Sequence, residues 1–560
     1  MKFSQFEYVR PDIEKVKEDM RQQISMFKWA STVEEQILAI KKINEVRREF
    51  ESSLTIAQIR HTLDTTDSFY EEEHAFFNKM SPEYENVDSE YYRALLETPF
   101  RTELENAFGT QLFRFAESKV KVFSPLVMDL LAAENRLSSE YQKIISTAKI
   151  PFDGEVRTLA QIEKYLSDPK RSVRKRAAEA KYEFFACQEK VLDDLYDKLV
   201  HVRTAIAKKL GFESFTELAY LRWNRIGWNK QSAAAFREHL FKHIIPVVSS
   251  LIEKQRERIN VEKIRIYDEK IQFPDGNPTP KGDPNWIVEQ GRKLYSELSL
   301  ETKEFYEEMI DRELFDLINK NGKANIGYCT FLWKQRAPFV FANFNGTSND
   351  IRVLVHEVGH AFQVYSALKE QDQPEYFFPT MEAAEIFSMS MEFFVLPWAE
   401  LFFKEDSDKQ QFAQLNESLL KLPRMCAVDE FQHEVYDNPD LTPQERKQLW
   451  KKLEEKYMPD RDNDSLGFLK DGGYWQEIPH IYEVPFYFID YALAQVCALD
   501  FWRMANEDWK QTWETYLHLC KLGGSKSFSE LIQEGNLQSP FEEQTILQLK
   551  KFVEEKLKLV

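Results

Sequence analysis

Apolar positions in this chain recur mainly at helical spacing. From Arg10 to about Lys119 the helical period holds almost throughout. Pro11 marks the first helix start, and Thr32-Val33-Glu34-Glu35 reads as a capping box. The pattern predicts continued helix from Val120 to Ser146. Ala148 to Glu155 breaks it, with two short strands expected around the Asp153-Gly154 turn. Helices resume near Leu159, are punctuated at Ser167-Asp168-Pro169, and run on as one long helix towards Leu210-Gly211. More helix is expected from Gly211 to about Lys270. Ile271 to Trp286 carries Pro274, Gly276, Pro278, Pro280, Gly282 and Pro284, so it must be loop or hairpin. Helices return from Trp286 to about Asn319.

One region reads as β-structure. Ile326 to Trp333 and Pro338 to Phe344 are rich in strand formers, and Pro338 suits a strand start or an edge. After Asn345-Gly346 the chain enters a helix, with Thr347, Ser348 and Asn349 as cap candidates. From there to Val560 the reading is helical, with loops near 371–374, 438–440, 459–473 and 523–524. No fixed-period repeat or low-complexity tail is visible. The fold class expected is mainly α.

Composition narrows the function classes. The 560 residues are 43% hydrophobic and 14% aromatic, enough to bury a core. The net charge of −19 argues against nucleic-acid binding. The basic cluster Lys170 to Arg176 reads as a solvated helix face rather than a phosphate site. Cys187, Cys329, Cys426, Cys497 and Cys520 are widely spaced and form no CxxC, which fits free thiols in a reducing compartment. No secretory leader pattern and no 18-residue apolar run is seen, so the expectation is a cytoplasmic protein without membrane partners.

The chemistry begins with His356-Glu357-Val358-Gly359-His360. On a helix the two histidines lie ~40° apart around the axis with Cβ atoms about 6 Å apart. Both imidazoles can then reach one zinc ion, with Glu357 placed to take a proton from a water beside it. The run alone occurs by chance in roughly one chain in fifty, so its surroundings decide. From Ile351 to Leu368 the flanks are apolar nearly all round, which means burial. Three buried polar groups on one helix need partners, and one metal serves all three.

Catalytic zinc needs a third protein ligand. In the expected helix Met381 to Val395, Glu382, Glu385, Met389 and Glu392 share one face. Spacing does not choose among the three glutamates, and the pattern alone favours a solvated acidic face. Further on, Gly472-Gly473 reads as a hinge before His480, Tyr482, Tyr487 and Tyr491. Such groups can donate to a developing oxyanion, or simply pack in an aromatic core.

Together these segments resemble the oligoendopeptidase F branch of the thimet-oligopeptidase family of zinc peptidases, of the bacterial Pz-peptidase type. The likeness runs from the 148–154 break through Gly327-Tyr328-Cys329-Thr330 and Phe344-Asn345-Gly346 to the HExxH helix and the Pro479–Tyr491 segment. It implies one zinc ion held by His356, His360 and Glu385, since the family's third ligand follows the second His by about 25 residues. It implies Glu357 as general base, and His480, Tyr487 and Tyr491 as transition-state or substrate contacts, with Tyr482 an alternative to either tyrosine. Phe387 and Met389 depart from the small residues many relatives carry after the third ligand. Glu392, two turns on, is a candidate to orient a zinc-bound histidine.

The implied fold is a large helical bowl with a deep substrate channel and a small sheet beside the zinc. The 339–344 segment would be its edge strand, pairing with extended peptides. A division into an N-terminal helical lobe, 1–185, and a catalytic domain, 186–560, follows. The implied activity is internal cleavage of short unstructured peptides. One rival is a zinc exopeptidase of carboxypeptidase or dipeptidyl type on a similar fold. Another is a non-catalytic peptide-binding protein. Nothing in the sequence indicates an oligomeric state.

Overall fold

A computed structural model describes residues 1–320, 322–324 and 326–558. It is a mainly α structure with two small sheets. Local signals act where expected. Thr32 accepts from the Glu35 N–H while the Glu35 carboxylate receives the Thr32 N–H, starting the helix Val33–Leu63. Asp153 and Gly154 both take positive φ (49° and 80°), which turns β1 (Ile150–Phe152) onto antiparallel β2 (Glu155–Arg157).

Other expectations need correction. The helix expected across 120–146 ends at Val122. Ser124 caps a short turn at Pro125–Val127, and a new helix runs Met128–Ser146. Helix also stops at Arg258, short of Lys270. There the Gln255 amide holds the carbonyls of Asp268, Glu269 and Ile271 and so stabilises an irregular segment. The basic cluster is largely exposed, as expected of a solvated face, apart from the buried Arg174, and its charges are paired. Arg171 and Arg174 both bond the fully buried Asp268, Lys175 pairs with Asp464 and Arg176 with Asp153. Gly472-Gly473 is no hinge: a Cβ would lie 2.3 Å from the Lys447 carbonyl oxygen at Gly472 and 2.5 Å from the Phe468 ring at Gly473. These glycines permit close packing.

The second sheet has the order β3-β5-β4: β3 (Phe315–Ile318), β4 (Tyr328–Leu332) and β5 (Ala337–Phe344). β3 falls where helix was expected. Its four residues have little pattern of their own and pair parallel with β5. β5 is therefore central, not the edge. Phe339, Val340, Phe341 and Ala342 are all buried, as a strand covered on both faces requires. The edge is β4, antiparallel to β5, with four of its five residues partly exposed.

Among the described residues two large apolar clusters and two small ones form the interior. The smaller of the large pair gathers N-terminal residues from Met20 to Ala116 and includes Tyr376. Tyr376 donates to the Phe108 carbonyl and accepts from the Leu112 N–H, and Arg47 pairs with Glu375 at 2.7 Å. The largest runs from Phe3 to Leu557 and holds most of the remaining buried apolar residues. Position 185/186 lies inside the continuous 39-residue helix Arg171–Lys209. Among the described residues no single helix is long and apolar enough to cross a membrane.

Candidate active site

The HExxH run sits on the helix Ser348–Glu370, which leaves β5 through Asn345-Gly346. No side chain of Thr347 caps it. Instead the Asp350 carboxylate accepts the N–H groups of Asn345 (2.9 Å) and Gly346 (2.7 Å), fixing the turn. The helix packs on β4 and β5 and crosses the helix Met381–Phe394. The crossing is close because of Gly359: a Cβ there would stand 2.7 Å from the Ser388 Cα and 3.0 Å from the Phe387 carbonyl oxygen.

This crossing brings one glutamate to the histidines. Glu385 Oε2 lies 3.2 Å from His356 Nε2 and 3.6 Å from His360 Nε2. The three ligand atoms all lie within 4.8 Å of one another. Ligands ~2.1 Å from a tetrahedral zinc stand ~3.4 Å apart, so the donor set fits such an ion. Glu382 and Glu392 are placed otherwise. Glu382 is fully buried and accepts from Trp228 Nε1 at 3.0 Å. Glu392 lies 2.8 Å from His356 Nδ1, while the Gln414 amide donates to the Glu392 carbonyl at 2.8 Å. The helix Met381–Phe394 is buried nearly all round, so its acidic stripe faces inward and is not a solvated one.

Electrostatics follow from this packing. Burial alone would lower the His356 pKa, but Glu385 and Glu392 raise it to about 10. Burial works against ionising Glu385 too, yet His360 and His356 hold it well below the usual carboxylate range. A bound dication takes over the part of the charge that these protons neutralise. Burial raises the Glu357 pKa, with His356 and His360 opposing.

His480, Tyr487 and Tyr491 form one ring cluster beside Glu385. The His480 and Tyr491 ring centroids are 5.8 Å apart, and those of Tyr487 and Tyr491 4.8 Å. The Tyr487 hydroxyl donates to Glu385 Oε1 at 2.6 Å, and Ser388 Oγ donates to Oε2 at 3.0 Å. Tyr491 stays partly exposed and lies within electrostatic range of Glu357. Burial, with Arg424 adding to it, pushes the His480 pKa down to about 4, so the imidazole is neutral near pH 7. Tyr482 is elsewhere: it is fully buried, stacks on Tyr141 and donates to the Leu192 carbonyl. It packs there as a core residue.

Three residues outside the sequence reading aim this cluster. Phe486 takes a positive φ of 68°. Its N–H donates to Gln432 Oε1, and its carbonyl accepts from Arg225, which also pairs with the buried Asp490 at 2.7 Å. The Trp223 indole donates to the Pro485 carbonyl at 2.9 Å and stacks on Tyr487. The sequence signal was slight: Trp and Arg lie in a short Gly-containing loop far from the motif.

A helical body carrying an HExxH helix, a converging glutamate and a β-edge beside them defines a metallopeptidase. Comparison with known proteins makes this specific. Residues 3–123 match the peptidase M3 N-terminal domain and residues 287–550 match peptidase family M3. The chain belongs to peptidase family M3, in its oligoendopeptidase F type. An oligoendopeptidase F homologue of Borreliella burgdorferi is 24% identical over 440 residues, covering 74% of this chain and 70% of its own. One from Lactococcus lactis subsp. lactis is 23% identical, covering 90% and 86%. The solved structure of Pz peptidase A with an inhibitor is 52% identical with a TM-score of 0.96, covering 100% of this chain and 99% of that one. Oligoendopeptidase F from Enterococcus faecium, at 17% identity and a TM-score of 0.64, shares the fold. The protein is thus a metallo-oligopeptidase that hydrolyses peptide bonds with a divalent metal, which excludes the non-catalytic reading.

Proposed function

We propose that the protein is a zinc oligoendopeptidase cutting internal bonds of short, unstructured peptides. The observation that carries this is the convergence of His356, His360 and Glu385, with Glu357 on the same helix beside partly open surface. A zinc ion held by those three would supply Lewis acidity, polarising a peptide carbonyl and bringing the pKa of water to about 7. Glu357 takes the proton of the attacking water and passes it to the leaving amine. Its burial-raised pKa suits both transfers.

Tyr491 and the neutral His480 are the donors offered to the developing oxyanion. The Tyr487 hydroxyl is engaged by Glu385, so its part is to orient that ligand. The two tyrosines thus take different parts. The free edge of β4, with Cys329 in range of Glu357, receives extended peptide as an added strand.

An internally quenched peptide blocked at both ends tests the endopeptidase reading. It is expected to be cleaved, with two internal fragments by mass. An exopeptidase would leave it intact. Cleavage should stop on chelation and return with zinc; full activity in chelated, metal-free protein would refute the metal's role. Glu392→Gln should weaken zinc affinity about 10- to 100-fold, since Glu392 fixes the His356 ring. Unchanged affinity and rate in this variant would remove Glu392 from the site.

A further inference from the structure

One guanidinium nitrogen touches the chain just before each of the two tyrosines of the site. Arg225 Nη2 donates to the Phe486 carbonyl at 2.5 Å and to Asp490 Oδ1 at 2.7 Å. Phe486 directly precedes Tyr487, and Asp490 directly precedes Tyr491. Arg225 and Asp490 are both buried, and among the described residues Nε and Nη1 of Arg225 have no hydrogen-bond partner. The polar contacts of this side chain therefore fall on these two points.

The arginine is itself held rigidly. The helix Phe215–Arg222 ends in a turn where Asn224 takes a positive φ of 51°. The Asn224 N–H donates back to the Leu221 carbonyl and the Arg225 N–H to the Tyr220 carbonyl, the paired bonds of a Schellman turn. The guanidinium carbon then rests 4.4 Å from the ring centres of both Tyr220 and Trp228. Trp228 in turn donates to Glu382, three residues before Glu385 on the same helix. Segment 223–228 thus ties the helix Phe488–Glu507, which carries Tyr491, to the helix that carries Glu385.

Stability alone does not account for this arrangement. A buried ion pair contributes little net stability over apolar packing, and it would need only Asp490. The second acceptor is the carbonyl of a bulky residue at φ 68°, a backbone state kept only where surrounding contacts over-determine it. What the two bonds fix together is the start of the helix Phe488–Glu507, and with it the direction of Tyr491.

We propose that Arg225 is a positioning residue for peptide cleavage, which keeps the Tyr491 hydroxyl aimed at the oxyanion while Tyr487 stays on Glu385. The proposal rests on the reading above that makes Tyr491 an oxyanion donor.

The test compares Arg225→Lys in the wild-type and Tyr491→Phe backgrounds. Lysine keeps a cation for Asp490, but its side chain is one bond shorter and cannot reach both acceptors. On zinc-saturated enzyme and the doubly blocked peptide, kcat is expected to fall about 10- to 100-fold with KM little changed. In the Tyr491→Phe background the same substitution should cost about threefold at most, because the group it aims is gone. Amide hydrogen exchange of the metal-free protein should rise over 484–491 while the helix Ser348–Glu370 keeps wild-type protection. Trp223→Phe is the second variant. It leaves the buried charges untouched, keeps a ring on Tyr487 and removes only the indole bond to Pro485, so a smaller loss of the same kind should appear. Full kcat in Arg225→Lys, an equal loss in both backgrounds, or faster exchange spread over the whole chain overturns the proposal. A slow Tyr491→Phe beside a fully active Arg225→Lys overturns this proposal alone. Full activity of Tyr491→Phe by itself overturns the donor reading, and this proposal with it.

Discussion

Glu357→Gln is expected to keep its zinc and its fold while losing about 10²- to 10⁴-fold in kcat/KM on the doubly blocked peptide. The two halves of this expectation have separate causes. The converging donor atoms belong to His356, His360 and Glu385, and Glu357 is not among them. Its removal takes no ligand away, so metal content by mass spectrometry should match the wild type. The amide keeps the shape of the carboxylate but cannot accept the proton that the attacking water must lose. Stability should not fall either. Burial raises the Glu357 pKa, so the ionised side chain is held at a cost that a neutral amide does not carry. Glu385→Gln provides the contrast, losing metal and activity together. Zinc-loaded Glu357→Gln with wild-type kcat/KM would sink the general-base assignment.

How much of this was legible beforehand depends on the range of each interaction. The capping box at Thr32 and the Asp153-Gly154 hairpin are local, and local chemistry is written in adjacent letters. The HExxH helix was equally readable, because its burial showed as an apolar run. The strands of 326–344 were visible, but their order was not. β5 became central only by pairing with β3, four residues whose partner lies more than twenty positions away. The acidic stripe Glu382-Glu385-Glu392 has the spacing of a wet face. It is buried because Trp228, the two histidines and Gln414 meet it, and those partners come from three other segments. Only resemblance singled out Glu385. Likewise the different surroundings of Tyr482, which stacks on Tyr141, and Tyr487, which bonds Glu385, depend on partners far along the chain, as does the backbone twist between them at Phe486 that Arg225 and Gln432 hold. The same residue types at the same spacing would fit either assignment.

The residue between the two ends of the motif carries the other large expected effect. Gly359→Ala should lower zinc affinity more than tenfold and destabilise the protein by about 1–3 kcal/mol, the usual cost of overpacking. Intrinsic helix propensity argues the opposite sign, since Ala in a helix interior is favoured over Gly by about 1 kcal/mol. Geometry decides between them. The added methyl would meet the Ser388 Cα at 2.7 Å, the Phe387 carbonyl oxygen at 3.0 Å and the Met391 Cβ at 3.1 Å. Two of those three are backbone atoms of a buried helix, which cannot swing aside as a side-chain tip can. The two helices must therefore part, and the metal donors face each other across that same crossing, at 3.2 and 3.6 Å. A zinc site tolerates errors of about 0.2 Å in its ligand distances, less than the separation needed to relieve the clash. Gly467→Ala is the control: its Cβ would enter open space, and both zinc affinity and melting temperature should hold. Zinc titration against a chelator of known affinity, alongside thermal unfolding of the metal-free protein, separates the two losses. Wild-type zinc affinity in Gly359→Ala would mean that the crossing has slack, and that Glu385 reaches the histidines by side-chain freedom rather than by the closeness of the helices.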